Sequence, residues 1–298
     1  MISKPENYDF NNIYSDDYIK GQAKKFLLRK IRDEDVCHWH DRIKLFCDEI
    51  IERLDLPKDA KYLDLGCNIG TFAIELAFRG KQAIGLDLSG DALIYAEAFS
   101  TSLGLKNRPK FIKGDASERE IFQPESFDAI LAEDIFEHLH ENLLVKTINN
   151  CAHWLKPGGF LVFHTHPTKY DYLFHSRGWK SVLALLPVTI YSLIHRERKF
   201  KRMVENYHRY VMNPISKLKS GKTHEEKIIH KPHCNLMTVD HLENLIQSAG
   251  MLSLSIKTAC LYKRDRVRKR AIIFGKREYF HRNIYGIAWK PLTELLEL

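Results

Sequence analysis

The chain has 298 residues, 44% of them apolar, and its 46 Lys and Arg against 38 Asp and Glu give a net charge of +8. This composition excludes a disordered or collagen-like chain and allows one or two domains with a buried core. The sequence has no apolar run long enough to span a bilayer, no N-terminal apolar signal segment and no CxxC pair among its six cysteines. We therefore expect free thiols and a cytoplasmic protein, with anionic partners favoured by the charge.

Residues 1–59 are predicted to form an N-terminal helical cap, because apolar side chains recur every three or four positions over 43–54 and Pro57 ends the pattern. Strand and helix patterns then alternate through residues 60–166, which predicts a mostly parallel sheet with helices on both faces. The predicted strands are 62–65, 82–87, 110–112, 127–132 and 160–164, and the predicted helices are 71–78, 91–101 and 142–155.

Residues 167–235 break this alternation and are interpreted as a helical insertion after the fifth strand. Within it an apolar stretch, 182–194, precedes a basic run, 195–202; this pair suits a peripheral membrane contact through 179–202, a lid helix, a dimer contact or an ordinary buried helix. Beyond the insertion we predict a helix over 239–249, an antiparallel hairpin of strands 252–261 and 270–274, and a C-terminal tail over 279–298.

The segment between the first predicted strand and helix is rich in glycine. Gly66 and Gly70 allow a tight turn and close approach of the backbone to a ligand, and Asn68 tolerates the left-handed conformation that this turn needs. Amides at the start of the next helix favour an anionic group. A dinucleotide-binding dehydrogenase or a plain tight turn would each explain the loop by itself.

Acidic residues accompany three successive predicted strands: Asp64, Asp87 and Asp115. A carboxylate at the end of the second strand accepts hydrogen bonds from ribose hydroxyls in nucleotide sites, and Asp115 is placed to accept one from an adenine amino group. Ligands of open α/β sheets bind at these strand ends, so the three acids together indicate a nucleoside-containing cofactor.

These motifs resemble those of class I S-adenosylmethionine-dependent methyltransferases, especially small-molecule O-methyltransferases, over about 60–166 and 234–275. The resemblance implies a Rossmann-like seven-stranded sheet with a C-terminal antiparallel hairpin, a methyltransferase domain over 60–278, and an acceptor lid formed by 167–235. It also implies S-adenosylmethionine as cofactor. The motifs that carry it are 64–70, 114–116, 126–130, the Lys-Pro-Gly-Gly turn at 156–159, 234–238 and 245–251. The implied cofactor-binding residues are Asp64, Gly66, Cys67, Asn68, Gly70, Asp87, Leu88, Asp115, Ala116 and Glu133.

A cluster of acids and imidazoles follows the fourth predicted strand. Asp134, Glu137 and His138 are spaced i, i+3, i+4, which would put them on one face of a helical turn. They could bind a hard divalent cation such as Mg²⁺ or act in general base catalysis. The segment resembles the Glu-x-x-Glu-His signature of ubiquinone-pathway O-methyltransferases and small-RNA 2′-O-methyltransferases, with Asp134 in place of the first Glu. In many relatives a similar turn instead orients the loop and the methionine part of the cofactor.

Two further histidines, His164 and His166, end the fifth predicted strand, and the two-residue period of a strand puts both on one face. Either could be the general base or another metal ligand. The predicted catalytic residues are thus His164, His166, Glu137 and His138, and the predicted metal ligands are Asp134, Glu137 and His138.

The sequence predicts a methyltransferase that moves a methyl group to a small-molecule, lipid-linked or glycan-linked acceptor, at oxygen because acids and imidazoles suit removal of a hydroxyl proton. Three alternatives stay open: an RNA 2′-O-methyltransferase, a nicotinamide-dependent oxidoreductase and a non-catalytic cofactor-binding subunit. Nucleic acid is the less favoured partner, because a charged hairpin loop explains the basic run at 263–270 equally well.

Overall fold

The computed structural model describes residues 17, 20–21, 42–105, 108–169, 202, 205–206, 209–210, 213–222, 233–259 and 281–292. Its strands are β1 (Lys61–Leu65), β2 (Gln82–Asp87), β3 (Lys110–Lys113), β4 (Phe127–Glu133), β5 (Leu155–Thr165), β6 (Leu252–Ala259) and β7 (Asn283–Trp289). Its α-helices are α1 (Thr71–Phe78), α2 (Gly90–Ser102), α3 (Glu141–Trp154), α4 (Asn213–Ser220) and α5 (Val239–Ser248). The predicted helix at 43–54 is found as a π-helix, Lys44–Ile50, followed by a 3-10 turn, Ile51–Arg53.

The seven strands form one sheet in the order β3-β2-β1-β4-β5-β7-β6. β1, β2 and β3 pair in parallel, whereas β7 pairs antiparallel with both β5 and β6. The predicted fold class, a mostly parallel Rossmann-like sheet with antiparallel C-terminal strands, is confirmed. Among the described residues, no helix combines the length and apolar character that crossing a bilayer requires.

The chain divides into two compact units, Met1–Leu131 with His153–Gly159, and Ala132–Ala152 with Phe160–Leu298. In the first unit the core is built on β1, β4 and α1, whose apolar side chains are almost completely buried except for Phe78 at the end of α1. Phe46 of the π-helix packs edge-on against Phe72 of α1, with ring centroids 5.7 Å apart. The prediction of free thiols is confirmed for the four described cysteines, Cys47, Cys67, Cys151 and Cys234.

In the second unit β7 lies between β5 and β6. A glycine of β7 permits its close contact with an aromatic side chain of β5. Gly286 is opposite Phe163 in the antiparallel pairing with β5. A Cβ atom at Gly286 would lie 2.5 Å from Cζ of Phe163 and 2.9 Å from the carbonyl oxygen of Ser255. The aromatic side chain of Phe163 therefore fills the space that a side chain at position 286 would need.

The structure corrects two predicted boundaries. Residues 279–298 are not simply a tail, because they contain β7, whose alternating burial over Asn283–Trp289 fits a strand in the sheet. The Lys-Pro-Gly-Gly segment belongs to β5, which begins at Leu155, although Gly158 keeps the positive φ of 84° that a turn would use. The predicted strand at 270–274 and the apolar stretch at 182–194 lie outside the described residues.

Gly286→Ala should destabilise the protein by about 1–3 kcal/mol, because the new methyl group meets the Phe163 ring and backbone of β6. Urea denaturation measures the change in the free energy of unfolding. Gly90→Ala is the control: its Cβ would meet only Lys113, at 3.5 Å, so a change under about 1 kcal/mol is expected. Equal stability of the two variants would contradict the packing of β7.

Candidate active site

The glycine-rich loop between β1 and α1 has three residues with positive φ. They are Gly66 (φ 70°), Asn68 (φ 49°) and Gly70 (φ 78°), so the left-handed conformation predicted for Asn68 is confirmed. Gly70 is also required by packing, since a Cβ atom there would lie 2.6 Å from Cε1 of Phe111. The loop thereby turns the chain tightly from β1 into the first turn of α1.

Asp87, at the end of β2, is held by the backbone on both sides of its carboxylate. Oδ2 accepts a hydrogen bond from the amide of Asn68 at 2.7 Å, and Oδ1 accepts one from the amide of Ser89 at 2.8 Å. Burial raises the pKa of Asp87, and hydrogen bonds from the amides of Ser89, Asn68 and Leu88 oppose the rise. These bonds fix the carboxylate of Asp87 between the loop and the start of α2.

The other two aspartates predicted to bind the cofactor, Asp64 and Asp115, also accept hydrogen bonds from backbone amides. Oδ2 of Asp64 accepts from the amide of Ala73 at 2.9 Å, which ties β1 to the first turn of α1. Oδ1 of Asp115 accepts from the amide of Ser117 at 2.8 Å and so shapes the turn after β3. Asp64 is therefore a structural support of the loop as well as a predicted cofactor-binding residue.

The remaining predicted cofactor-binding residues differ in exposure. Cys67 is buried, and burial raises the pKa of its thiol well above the ordinary value. Ala116 is buried, whereas Leu88 is 48% exposed. Glu133 belongs to the second unit, where its Oε1 lies 3.5 Å from Nδ1 of His164.

In the second unit one carboxylate oxygen contacts two imidazoles. Oδ1 of Asp134 lies 2.6 Å from Nδ1 of His164 and 3.0 Å from Nδ1 of His166. The two rings are stacked with centroids 5.7 Å apart, which confirms that they share one face. Asp134 has a positive φ of 54°, and its amide donates to the carbonyl of His164 at 3.0 Å. It therefore lies before the 3-10 turn Phe136–His138 and not on one helical face with Glu137 and His138.

His164 is completely buried, and both of its ring nitrogens face oxygen acceptors. Its Nε2 lies 3.1 Å from Oδ1 of Asn283, and the Asn283 amide is oriented because its Nδ2 donates to the carbonyl of Ala259. These contacts suit a proton on each ring nitrogen of His164 and a charge pair with Asp134. The role of His164 as a catalytic base or metal ligand stays a prediction, and the structure shows that its two ring nitrogens lie against Asp134 and Asn283. Sequence reasoning missed Asn283 because it lies in the segment predicted as a tail.

Glu137, close to Asp134 and His166, is also completely buried. Its Oε2 accepts a hydrogen bond from the hydroxyl of Thr165 at 2.8 Å, and its Oε1 lies 3.5 Å from Nδ1 of His166. Oε1 accepts no hydrogen bond from any residue that the structure describes. Burial first, and then the charge of Asp134, raises the pKa of Glu137 well above its usual range. An under-satisfied buried carboxyl of this kind suits a bound cation or a shared proton.

The ligand set predicted for a divalent metal does not fit as one group. Asp134 falls in a group with His164 and His166, while Glu137 and His138 fall in a second group with His233. Within each group the candidate ligand atoms lie within 4.8 Å of one another. The i, i+3, i+4 spacing suggested a single triad, but the positive φ of Asp134 turns its carboxylate toward the histidines of β5.

Several curated proteins that are similar in sequence share one name. A stretch of 128 residues, 43% of the chain, is 32% identical to "Ubiquinone biosynthesis O-methyltransferase" of Aliivibrio fischeri and covers 53% of that protein. A stretch of 149 residues, half of the chain, is 32% identical to the protein of that name from Saccharophagus degradans and covers 61% of it. The chain thus spans little more than half the length of the curated relatives it matches.

Two solved structures share the fold at low identity. An S-adenosylmethionine-dependent methyltransferase from Methanosarcina mazei matches with a TM-score of 0.52 and 19% identity, over 82% of this chain and 97% of its own. Phosphoethanolamine N-methyltransferase 2 from Haemonchus contortus, solved with S-adenosyl-L-methionine, matches with a TM-score of 0.55 and 18% identity, over 95% of this chain and 58% of its own. A family model described as "Methyltransferase domain" matches residues 38–252. With this match over most of its length, the chain belongs to the methyltransferase-domain family.

Proposed function

We propose that the protein transfers a methyl group from S-adenosylmethionine to a hydroxyl oxygen of a small-molecule acceptor. The observation that carries the choice of oxygen is the contact of Asp134 with His166, because a hydroxyl must lose a proton during methylation. The printed name of the sequence relatives, an O-methyltransferase, supports the same choice.

The cofactor is assigned to the loop and acids of the first unit. The carboxylate of Asp87 is held by two backbone amides and is suited to accept the ribose hydroxyls, while Asp115 is the adenine contact. Gly66, Asn68 and Gly70 form the loop, and the other predicted contacts are Asp64, Cys67, Leu88, Ala116 and Glu133. The main task of these residues is to position the cofactor, because the sulfonium of S-adenosylmethionine is already a reactive methyl donor.

His166 is our candidate for the general base. When Nδ1–H of His166 donates to Asp134, the lone pair of the neutral ring is on Nε2, so the basic nitrogen points away from the carboxylate. His164, held as a cation by Asp134 and Asn283, keeps that carboxylate ionised and oriented. Asp134 thus accepts from both rings and fixes which nitrogen of His166 takes the proton of the acceptor hydroxyl.

The finer identity of the acceptor remains a prediction. A lipid-linked or glycan-linked acceptor, and a peripheral membrane contact through 179–202, depend on the apolar and basic stretches of the insertion, which lie outside the described residues. Oligomeric state likewise stays open. The proposal therefore names the bond formed, methyl to oxygen, and a small-molecule acceptor class.

Methyl transfer from S-adenosylmethionine labelled in its methyl group tests the proposal. The full chain is incubated with an extract of the source cells, which is then separated into lipid, glycan, RNA and small-molecule fractions. Label in a small-molecule methyl ether is expected. Label confined to RNA would replace this acceptor by a 2′-hydroxyl, and a protein that does not bind S-adenosylhomocysteine would contradict the proposal altogether.

Replacing the candidate base should slow the chemical step. His166→Ala is expected to lower kcat by roughly 10²–10⁴-fold while leaving the affinity for S-adenosylhomocysteine unchanged, because it removes proton transfer and not cofactor binding. Steady-state kinetics and calorimetry give the two values. His241→Ala is the matched control, since His241 contacts Glu141 at 3.2 Å outside the Asp134 group. Wild-type kcat in His166→Ala would exclude His166 as the base.

Removing the carboxylate proposed to bind the ribose should weaken binding of the cofactor. Asp87→Ala is expected to reduce S-adenosylhomocysteine binding by about 1–3 kcal/mol, because the ribose hydroxyls and two loop amides lose their acceptor. Isothermal calorimetry measures the change. Asp91→Ala, in the first turn of α2, is the control and should bind as wild type does. An unchanged affinity in Asp87→Ala removes Asp87 from the site.

A further inference from the structure

The chain that carries His166 leaves the sheet at the end of β5 and is held again shortly afterwards. The last residue of β5 that pairs with β7 is Thr165, opposite Ile284. Pro167, which follows His166, has no amide hydrogen and can donate no backbone hydrogen bond. Thr168 is therefore the first residue after His166 whose backbone amide can be held by a neighbouring segment.

Thr168 donates two hydrogen bonds to the residues just before β7. Its amide donates to the carbonyl of Arg282 at 2.9 Å, and its hydroxyl donates to the carbonyl of His281 at 2.8 Å. Thr168 is only 1% exposed, so water cannot replace its hydroxyl as the donor. Loss of the hydroxyl would therefore leave a buried carbonyl without this hydrogen bond.

A second segment also holds the chain at this point. Thr168 and Met237 form an isolated parallel bridge, and the amide of Lys169 donates to the carbonyl of Met237 at 2.9 Å. Met237 is completely buried. The path of the chain just beyond His166 is thus set by two segments, one that precedes β7 and one that precedes α5.

The segment that accepts these hydrogen bonds is itself held in place. Nδ1 of His281 lies 2.9 Å from Oγ1 of Thr258 on β6, and His281 is buried. Two residues further along, Asn283 contacts the buried ring of His164. One short segment therefore supports both imidazoles of the proposed reaction, the first through Asn283 and the second through Thr168.

We propose that Thr168 is a positioning residue for methyl transfer, which acts by holding His166 against Asp134. Nδ1 of His166 lies 3.0 Å from Oδ1 of Asp134, and this contact sets which ring nitrogen is basic. The His166 side chain is 21% exposed, so surrounding side chains do not enclose it completely. A displacement of about 1 Å at a reacting group can lower a rate by as much as about 10²-fold. The inference rests on the proposed role of His166 as general base.

Thr168→Val tests the inference, because it keeps the shape of the side chain and removes the hydroxyl donor. We expect kcat to fall by roughly tenfold with KM and S-adenosylhomocysteine affinity unchanged, and Thr168→Ser to restore kcat. Thr147→Val is the matched control: Thr147 is completely buried, and its hydroxyl has no hydrogen-bond partner among the described residues. Wild-type kcat in Thr168→Val, or an equal fall in Thr147→Val, would overturn the inference.

The His166→Ala background shows whether Thr168 acts through the base. The double variant His166→Ala/Thr168→Val should have the same kcat as His166→Ala, because a positioning effect needs the group that is positioned. A further fall in the double variant, equal to that caused by Thr168→Val alone, would show that Thr168 acts independently of His166 and would overturn the inference.

The ring-nitrogen NMR signals of His166 give a readout that does not depend on turnover. With assignment by His166→Ala, they should report one tautomer, protonated on Nδ1, in the wild type and a mixture in Thr168→Val. Thr258→Val, which removes the hydroxyl beside the His281 ring, should shift the same signals and replaces Thr168→Val if that variant does not fold. Unchanged His166 signals in the folded variants would overturn the inference. Wild-type kcat in His166→Ala, with signals that respond to Thr168→Val, would contradict only the proposed base.

Discussion

The pairing of Asp134 with the completely buried ring of His164 constrains the second unit of the protein. A charge removed from water must be matched by an opposite charge and by hydrogen bonds, or the site is unstable. Here Oδ1 of Asp134 receives one imidazole at 2.6 Å, and Asn283 takes the other nitrogen of the same ring. The end of β4, the end of β5 and the start of β7 are thereby fixed together by one polar chain.

This polar chain has a chemical consequence at His166. A carboxylate already occupied by a buried imidazolium is fixed in orientation, so the second imidazole it accepts from has a defined tautomer. A flexible or protonated carboxyl would not define which nitrogen of His166 is basic. In the proposed reaction, His164 and Asn283 maintain the geometry, and His166 transfers the proton. Glu137 adjoins this polar chain, because its buried Oε1 lies 3.5 Å from Nδ1 of His166.

Local patterns in the sequence predicted the first unit well. The loop between β1 and α1, the acid at the end of β2 and the left-handed Asn68 all depend on residues within about 25 positions of one another, so their spacing is informative. β7 was missed because one of its partners is distant and the other was paired with a different segment. Ile284 to Trp289 pair with Phe160 to Thr165, more than 100 residues earlier, and the strand expected beside β6 was 270–274. The glycine of β7, needed opposite Phe163, also weakens the strand pattern as the sequence presents it.

Patterns along the chain were enough to predict the family and the fold class, because glycines, acids and apolar residues recur at spacings that strands and turns impose. They did not determine which side chains act together. The positive φ of Asp134 turns one member of the expected triad toward His164 and His166, and the returning chain brings His233 to Glu137 and His138 in its place. Asn283 became a partner of His164 only through the pairing of β7. Such groupings depend on long-range packing and backbone direction, which the spacing of residues along one segment does not contain.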